Sequence, residues 1–189
     1  GDANLPVKVS SSQPIGVFSF HDCAPVPKFP GTCDALMSTL PPVSALDRKY
    51  VIPPVGGRSN DTGYIIQVVS AEPNTVATVY YDDLYNTTTL VNDLEYTQFD
   101  VTPNVASVVK CSKPCMVKQY NKGRNVGGLL DHLTDGYSLE IAPPKEYSWI
   151  LTFTPGDNET YVNYLSIVAH VADGHPKDMV DLRYICSIK

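Results

Sequence analysis

Period-two alternation and continuous apolar runs of β-type residues recur along this chain. Residues 75–81 alternate cleanly: Val76, Thr78 and Tyr80 fall on one side of an extended chain, and Ala77, Val79 and Tyr81 on the other. Residues 63–70 leave little polar face, because Ile65, Ile66, Val68 and Val69 nearly fill the run, and they predict a strand buried on both sides. Further strands are predicted at 14–20, 49–52, 87–91, 96–101, 105–110, 116–120, 137–141, 148–154, 162–171 and 181–188. Turn residues separate them: Gly56-Gly57, Pro73-Asn74, Asn92-Asp93, Pro155-Gly156 and Asp173-Gly174. Helix is expected only over 34–38, with Asp34 as N-cap, and as a single turn over 129–133. The pattern predicts an all-β protein built as a sandwich, with a β-propeller as the competing arrangement.

The same pattern occurs twice, about a hundred residues apart. Ser12-Gln13-Pro14-Ile15-Gly16-Val17-Phe18 is echoed by Ser112-Lys113-Pro114-Cys115-Met116-Val117-Lys118. Leu40-Pro41-Pro42 with Tyr50-Val51-Ile52 is echoed by Ala142-Pro143-Pro144 with Trp149-Ile150-Leu151, and Tyr64-Ile65-Ile66 by Tyr164-Leu165-Ser166. Three blocks in one order at a near-constant offset imply a duplicated β unit, which suits a scaffold or binding surface better than a catalyst. Two related sandwich-like repeats are expected, over 1–105 and 106–189. β-type residues run across the boundary without a Gly/Ser linker, so the halves are expected to pack as one compact unit.

Composition narrows the partners. A chain of 189 residues with 43% apolar and 18% charged residues is ordinary globular material. A net charge of −6 and the lack of a basic stripe argue against nucleic acid. No run of about 18 apolar residues offers a membrane-spanning helix. The opening Gly1-Asp2 reads as a processed boundary, and the sequence as a piece of a larger multidomain protein. Five cysteines suit an oxidising compartment, and three sequons, at Asn60, Asn86 and Asn158, supply glycan acceptors in polar segments. Together they indicate a secreted protein.

Cys23 and Cys33 enclose nine residues, three of them proline. A structural disulfide is favoured there over a metal or redox pair completed by His21, because a tetrahedral site wants a fourth ligand. Cys111 and Cys115 can bridge only across a tight turn, and Cys186 can pair with either. Cys111–Cys186 is the first choice, with Cys115 left over. Four dispersed histidines (His21, His132, His170, His175) and the absence of HExxH or Gly-x-Ser-x-Gly motifs leave no catalytic constellation. The acidic pairs Asp82-Asp83, Asp131/Asp135 and Asp178/Asp181 fit solvated turns better than calcium, which needs six to eight converging oxygens. No metal or cofactor is therefore expected. Tyr81 and Tyr85 are candidate surface aromatics for a protein or a sugar, whereas Trp149, at the repeat position of Tyr50, reads as core. Gly123-Arg124-Asn125-Val126-Gly127-Gly128 lacks a P-loop lysine and reads as a loop in which Arg124 is available for contacts.

Taken in order, these blocks resemble the IgGFc-binding protein N-terminal domain family over about residues 13–180. The opening strand Pro14-Ile15-Gly16-Val17-Phe18-Ser19 is followed by Cys23-Ala24-Pro25-Val26-Pro27, then Cys33-Asp34-Ala35-Leu36 and Leu40-Pro41-Pro42-Val43. Ala71-Glu72-Pro73-Asn74-Thr75-Val76, Lys113-Pro114-Cys115-Met116-Val117 and Tyr161-Val162-Asn163-Tyr164-Leu165 complete the series. Phe20-His21, Ala35 and Cys115 depart from the family's pattern. The resemblance implies a non-enzymatic extracellular module with adhesive, mucus-organising or immune-related roles, and it does not imply immunoglobulin as the ligand. Protein partners in matrix, mucus or secreted defence are the expected targets. A carbohydrate-binding module is the alternative and a secreted hydrolase the distant one.

Overall fold

The protein is represented by a computed structural model that describes residues 6–27, 33–58, 61–102, 104–123, 136–148 and 164–168. Among the described residues, nine strands form two antiparallel sheets. A two-stranded sheet joins β1 (Phe18–Ala24) to β2 (Asp34–Thr39). The main sheet holds β3 (Asp47–Ile52), β4 (Tyr64–Ser70), β5 (Thr75–Tyr81), β6 (Leu84–Leu90), β7 (Tyr96–Val101), β8 (Ser107–Asn121) and β9 (Tyr137–Glu140). These seven strands form one sheet rather than radial four-stranded blades, so the propeller alternative is corrected. The predicted strand over 181–188, the turn at 129–133 and Trp149 lie outside the described residues; of the predicted strand 148–154 only Ser148 is described, and of 162–171 only 164–168.

β8 organises the main sheet. Its first half pairs with β3 and β5, through Val109↔Tyr50 and Val109↔Val79. Its second half pairs with β4 and β9, through Gln119↔Ile66 and Gln119↔Leu139. The exchange happens between Cys111, the last partner of Ala77, and Cys115, the partner of Ser70. There β8 advances from Lys110 to Cys115 while β3 goes only from Lys49 to Asp47, so β8 bulges. Pro114 sits in this bulge, one of the few strand positions that tolerates a missing N–H. Sequence reasoning divides this segment into two strands at the proline; the backbone carries straight through.

The bend lets the sheet wrap around one core. Tyr50, Ile52, Val79 and Val109 meet Tyr64, Ile66, Val101 and Val117, each 3% exposed or less. Two tyrosine hydroxyls are satisfied inside it. Tyr64 donates to the Val105 carbonyl at 2.7 Å and shares a hydrogen bond with Ser107 Oγ. Tyr50 accepts from the Asp47 N–H at 2.9 Å and donates to the Cys115 carbonyl, which ties β3 to the bulge. Burial pushes the Tyr50 hydroxyl up to about 12 and raises that of Tyr64 further, so both stay neutral donors.

Cys23 is bonded to Cys33, as expected, and closes the turn between β1 and β2. The expected Cys111–Cys186 bridge is corrected: Cys111 pairs with Cys115, and Cys186 lies outside the described residues. The bend of β8 brings the two Cα atoms to 6.6 Å, within bridging range. This bond braces the point where β8 changes partners. Replacing both cysteines with serine should cost about 2 kcal/mol by the loop-entropy relation. Thermal melts should then fall by roughly 4–8 °C; an unchanged melting temperature would show that the corner holds without the bond.

The helix expected over residues 34–38 is also corrected. These residues form β2, with Leu36 and Ser38 buried and Ala35, Met37 and Thr39 exposed. Pairing with β1 imposes this two-residue period on a run too short to nucleate a helix. Asp34 does not cap a helix; its carboxylate accepts the Gly136 N–H at 3.0 Å.

Segments a hundred residues apart meet at this point. Ser38 Oγ and Ser138 Oγ lie 3.1 Å apart, one on β2 and one on β9. Each of these strands leads through a proline-capped 3-10 turn, Val43–Ala45 after Pro42 and Pro144–Glu146 after Pro143. Lys145 in the second turn donates to the Leu46 carbonyl beside the first at 2.7 Å. The pairings are also near-copies: Ser19↔Ser38 in β1–β2 against Gln119↔Leu139 in β8–β9. Other echoed residues differ in environment. Tyr64 is fully buried, whereas Tyr164 is half exposed and lies against Gly56 and Gly57.

Candidate functional site

Strand parity assigns three surfaces. The first is the outer face of β5, β6 and the first half of β8. The alternation read in residues 75–81 holds, with Ala77, Val79 and Tyr81 turned into the core. Tyr81 is therefore corrected as a surface residue: it is 9% exposed, and its hydroxyl accepts a hydrogen bond from Asn86 Nδ2 at 3.0 Å. Its neighbour Tyr80 takes the outer position, directly across from Tyr85. The two rings are 6.1 Å apart, and Lys110 Nζ lies 5.4 Å from the Tyr80 ring, within cation–π range. The next row of the face is Lys49, Lys110, Thr78 and Thr87, with the two threonine hydroxyls bonded at 3.0 Å. Tyr85 is 68% exposed, the predicted surface aromatic that remains one.

The second surface is the outer side of the β1–β2 sheet. Phe20 lies opposite Met37, and Phe18 is on the same side of β1. All three are at least 63% exposed.

The third is a groove of about 470 Å³ over the outer face of β4 and the second half of β8. Its walls are largely apolar, lined by Val7, Val9, Ile15, Val17, Leu40 and Leu46, with the exposed Lys8 among them. Its floor adds polar groups to Val69 and Met116. The Tyr120 hydroxyl donates to Gln67 Oε1 at 3.0 Å, and Lys118 Nζ pairs with Glu140 Oε1 at 2.9 Å. That ion pair is the only partner of the Glu140 carboxylate among the described residues. Burial raises the Glu140 pKa and the adjacent Lys118 holds it down. Burial, reinforced by Glu140, pushes the Tyr120 hydroxyl up to about 12. Gln67 is 3% exposed, and its Nε2 has no hydrogen-bond partner among the described residues.

This polar floor is absent from the sequence-based candidates. The signal for it is present, since Gln67 is the single polar residue between Ile65 and Val69 in a run that otherwise reads as doubly buried. Arg124, Asn60 and Asn158 lie outside the described residues, as do His132, His170 and His175. Asn86 is exposed on β6, at the edge of the main sheet, so this sequon sits on a strand. His21 Nδ1 accepts the Cys23 N–H at 3.1 Å, a local turn contact. Among the described residues no cluster of His, Cys, Asp or Glu could hold a metal, and no helix is long and apolar enough to cross a membrane.

A disulfide-braced β scaffold with exposed aromatic faces belongs to the class of recognition modules. The family model described as IgGFc binding protein matches residues 6–182, and the chain belongs to that family. It is accordingly a secreted, non-enzymatic adhesion and recognition module. No curated protein and no solved structure matches the chain.

Proposed function

We propose that the module binds an extracellular protein through the Tyr80–Tyr85 face. The observation that carries this reading is an exposed tyrosine pair with Lys110 against one ring, on a sheet face continued by Lys49 and the threonine row. Tyrosine offers large contact area at low entropic cost, and aromatic residues are enriched where protein interfaces are buried. The lysines favour a partner surface that carries carboxylates.

Two further expectations belong to this reading. The Ser38–Ser138 contact and the paired proline-capped turns support a duplicated unit divided near residue 105, its halves related about that contact. Asn86, with Asn60 and Asn158, is proposed to carry an N-glycan; on Asn86 it would shield an edge strand against unwanted pairing.

The test is binding to a panel of mucus and matrix proteins alongside a glycan array, with wild type and the Tyr80→Ala/Tyr85→Ala variant. Saturable protein binding that weakens about tenfold or more in the variant is expected, the scale of an aromatic hot spot. Binding confined to glycans would replace the reading with the carbohydrate alternative, and protein binding indifferent to both tyrosines would reject this face.

A further inference from the structure

We propose that the groove between the amino-terminal segment and the outer face of β4 and β8 is a binding site for a small neutral molecule. This ligand has an elongated apolar body and one carbonyl-type oxygen. The site is separate from the tyrosine face, which lies on the other half of the bent sheet.

The groove's size comes first. About 470 Å³ lies within the range of small-ligand sites, roughly 300–1,000 Å³. Its walls are a valine- and leucine-rich channel, which selects an apolar body.

The head group follows from the floor. Gln67 is almost fully buried, its Oε1 is taken by the Tyr120 hydroxyl, and its Nε2 has no partner among the described residues. A buried amide N–H left unpaired is costly; Nε2 is shielded from water in the unliganded groove, and a small shift of the floor that admits a ligand acceptor oxygen would relieve that cost. The acceptor should be neutral. Two cations line the groove. Lys8 on the wall is exposed to water, where ion pairing gains little. Lys118 on the floor already faces Glu140 at 2.9 Å, so a carboxylate there would have to displace Glu140 into a buried setting. A ketone, ester or amide oxygen meets Gln67 without disturbing that pair. The Tyr120 hydroxyl remains protonated at neutral pH and holds the Gln67 amide in place.

The test uses the fluorophore prodan, which is neutral and carries one ketone, titrated against the intact protein. A blue-shifted, saturable signal at one equivalent is expected. Ile15→Trp puts an indole in the groove wall from a half-exposed position, so it should spare the fold and weaken binding about tenfold or more. Gln67→Leu removes the donor and should weaken binding about tenfold, the worth of one buried hydrogen bond. Octanamide should displace the probe, and octanoate at pH 8 should not. The proposal is overturned if binding does not saturate, if Ile15→Trp leaves it unchanged, or if octanoate competes as well as octanamide. If Gln67→Leu does not fold, Ile15→Trp and the competitor pair decide.

Discussion

Gly63→Ala should destabilise the protein by about 3–5 kcal/mol where Gly16→Ala is silent. Gly63 sits immediately before β4 with φ at +58°, in the left-handed region that costs a residue with a Cβ roughly 1–3 kcal/mol. A Cβ placed there would also lie 1.8 Å from the Val101 carbonyl oxygen. That oxygen is backbone on β7, where Val101 pairs with Tyr64, so it cannot swing aside as a flexible side chain could. Relief requires β4 and β7 to separate at the end where Tyr64 and Val101 enter the core, both fully buried. Strain and overpacking together come to about 3–5 kcal/mol, a large share of an ordinary domain's stability. Gly16 is the matched control, since the nearest atom to its added Cβ is a Phe18 ring carbon at 3.8 Å. Urea unfolding of the two variants decides the matter; equal midpoints would refute the backbone clash.

The parts of the fold written in local alternation were legible in advance. Residues 75–81 and 63–70 became β5 and β4 almost to the residue, because strand parity against a core is a local property of the sequence. The errors have a different origin. Ala35, Leu36 and Met37 are good helix formers, and only the pairing of β2 with β1 makes them extended. Pro114 punctuates a sequence without breaking a strand when it sits in a bulge, and the same bulge brings Cys111 to Cys115 in place of a distant partner.

The candidate surface was legible by one residue less than it needed. Tyr80, Tyr81 and Tyr85 are visible as a cluster, but a strand turns neighbours to opposite sides, so Tyr80 and not Tyr81 joins Tyr85 outside. The groove was not legible. Its walls come from residues 6–17 and 40–46 and its floor from β4 and β8, a convergence that only the tertiary structure creates. Gln67 is the part whose signal stood in the sequence unread, a polar residue where a doubly buried strand has no place for one.

Lys118→Met should make the protein's stability fall much more steeply than the wild type's as pH rises from 4 to 8. Lys118 and Glu140 are cross-strand partners on β8 and β9, with side chains 10% and 18% exposed. Burial raises the Glu140 pKa above its ordinary 4.5, and Lys118 is the group that opposes the rise. Removing the ammonium leaves a buried carboxylate without its counter-charge, an error that costs about 3–5 kcal/mol when the group is ionised. The sign follows from proton counting. With the folded pKa above the unfolded one, the native state holds the extra proton between them, so stability falls as pH rises through that window. Below about pH 4 the carboxyl is neutral in both states and this penalty disappears. Urea unfolding at pH 4, 6 and 8 should therefore show Lys118→Met close to its acid stability at pH 4 and progressively weaker above it. Adding Glu140→Gln should flatten the profile and recover most of the loss at pH 8, because an amide carries no charge to desolvate. A flat profile for Lys118→Met alone would mean that water reaches Glu140 and that the ion pair contributes little.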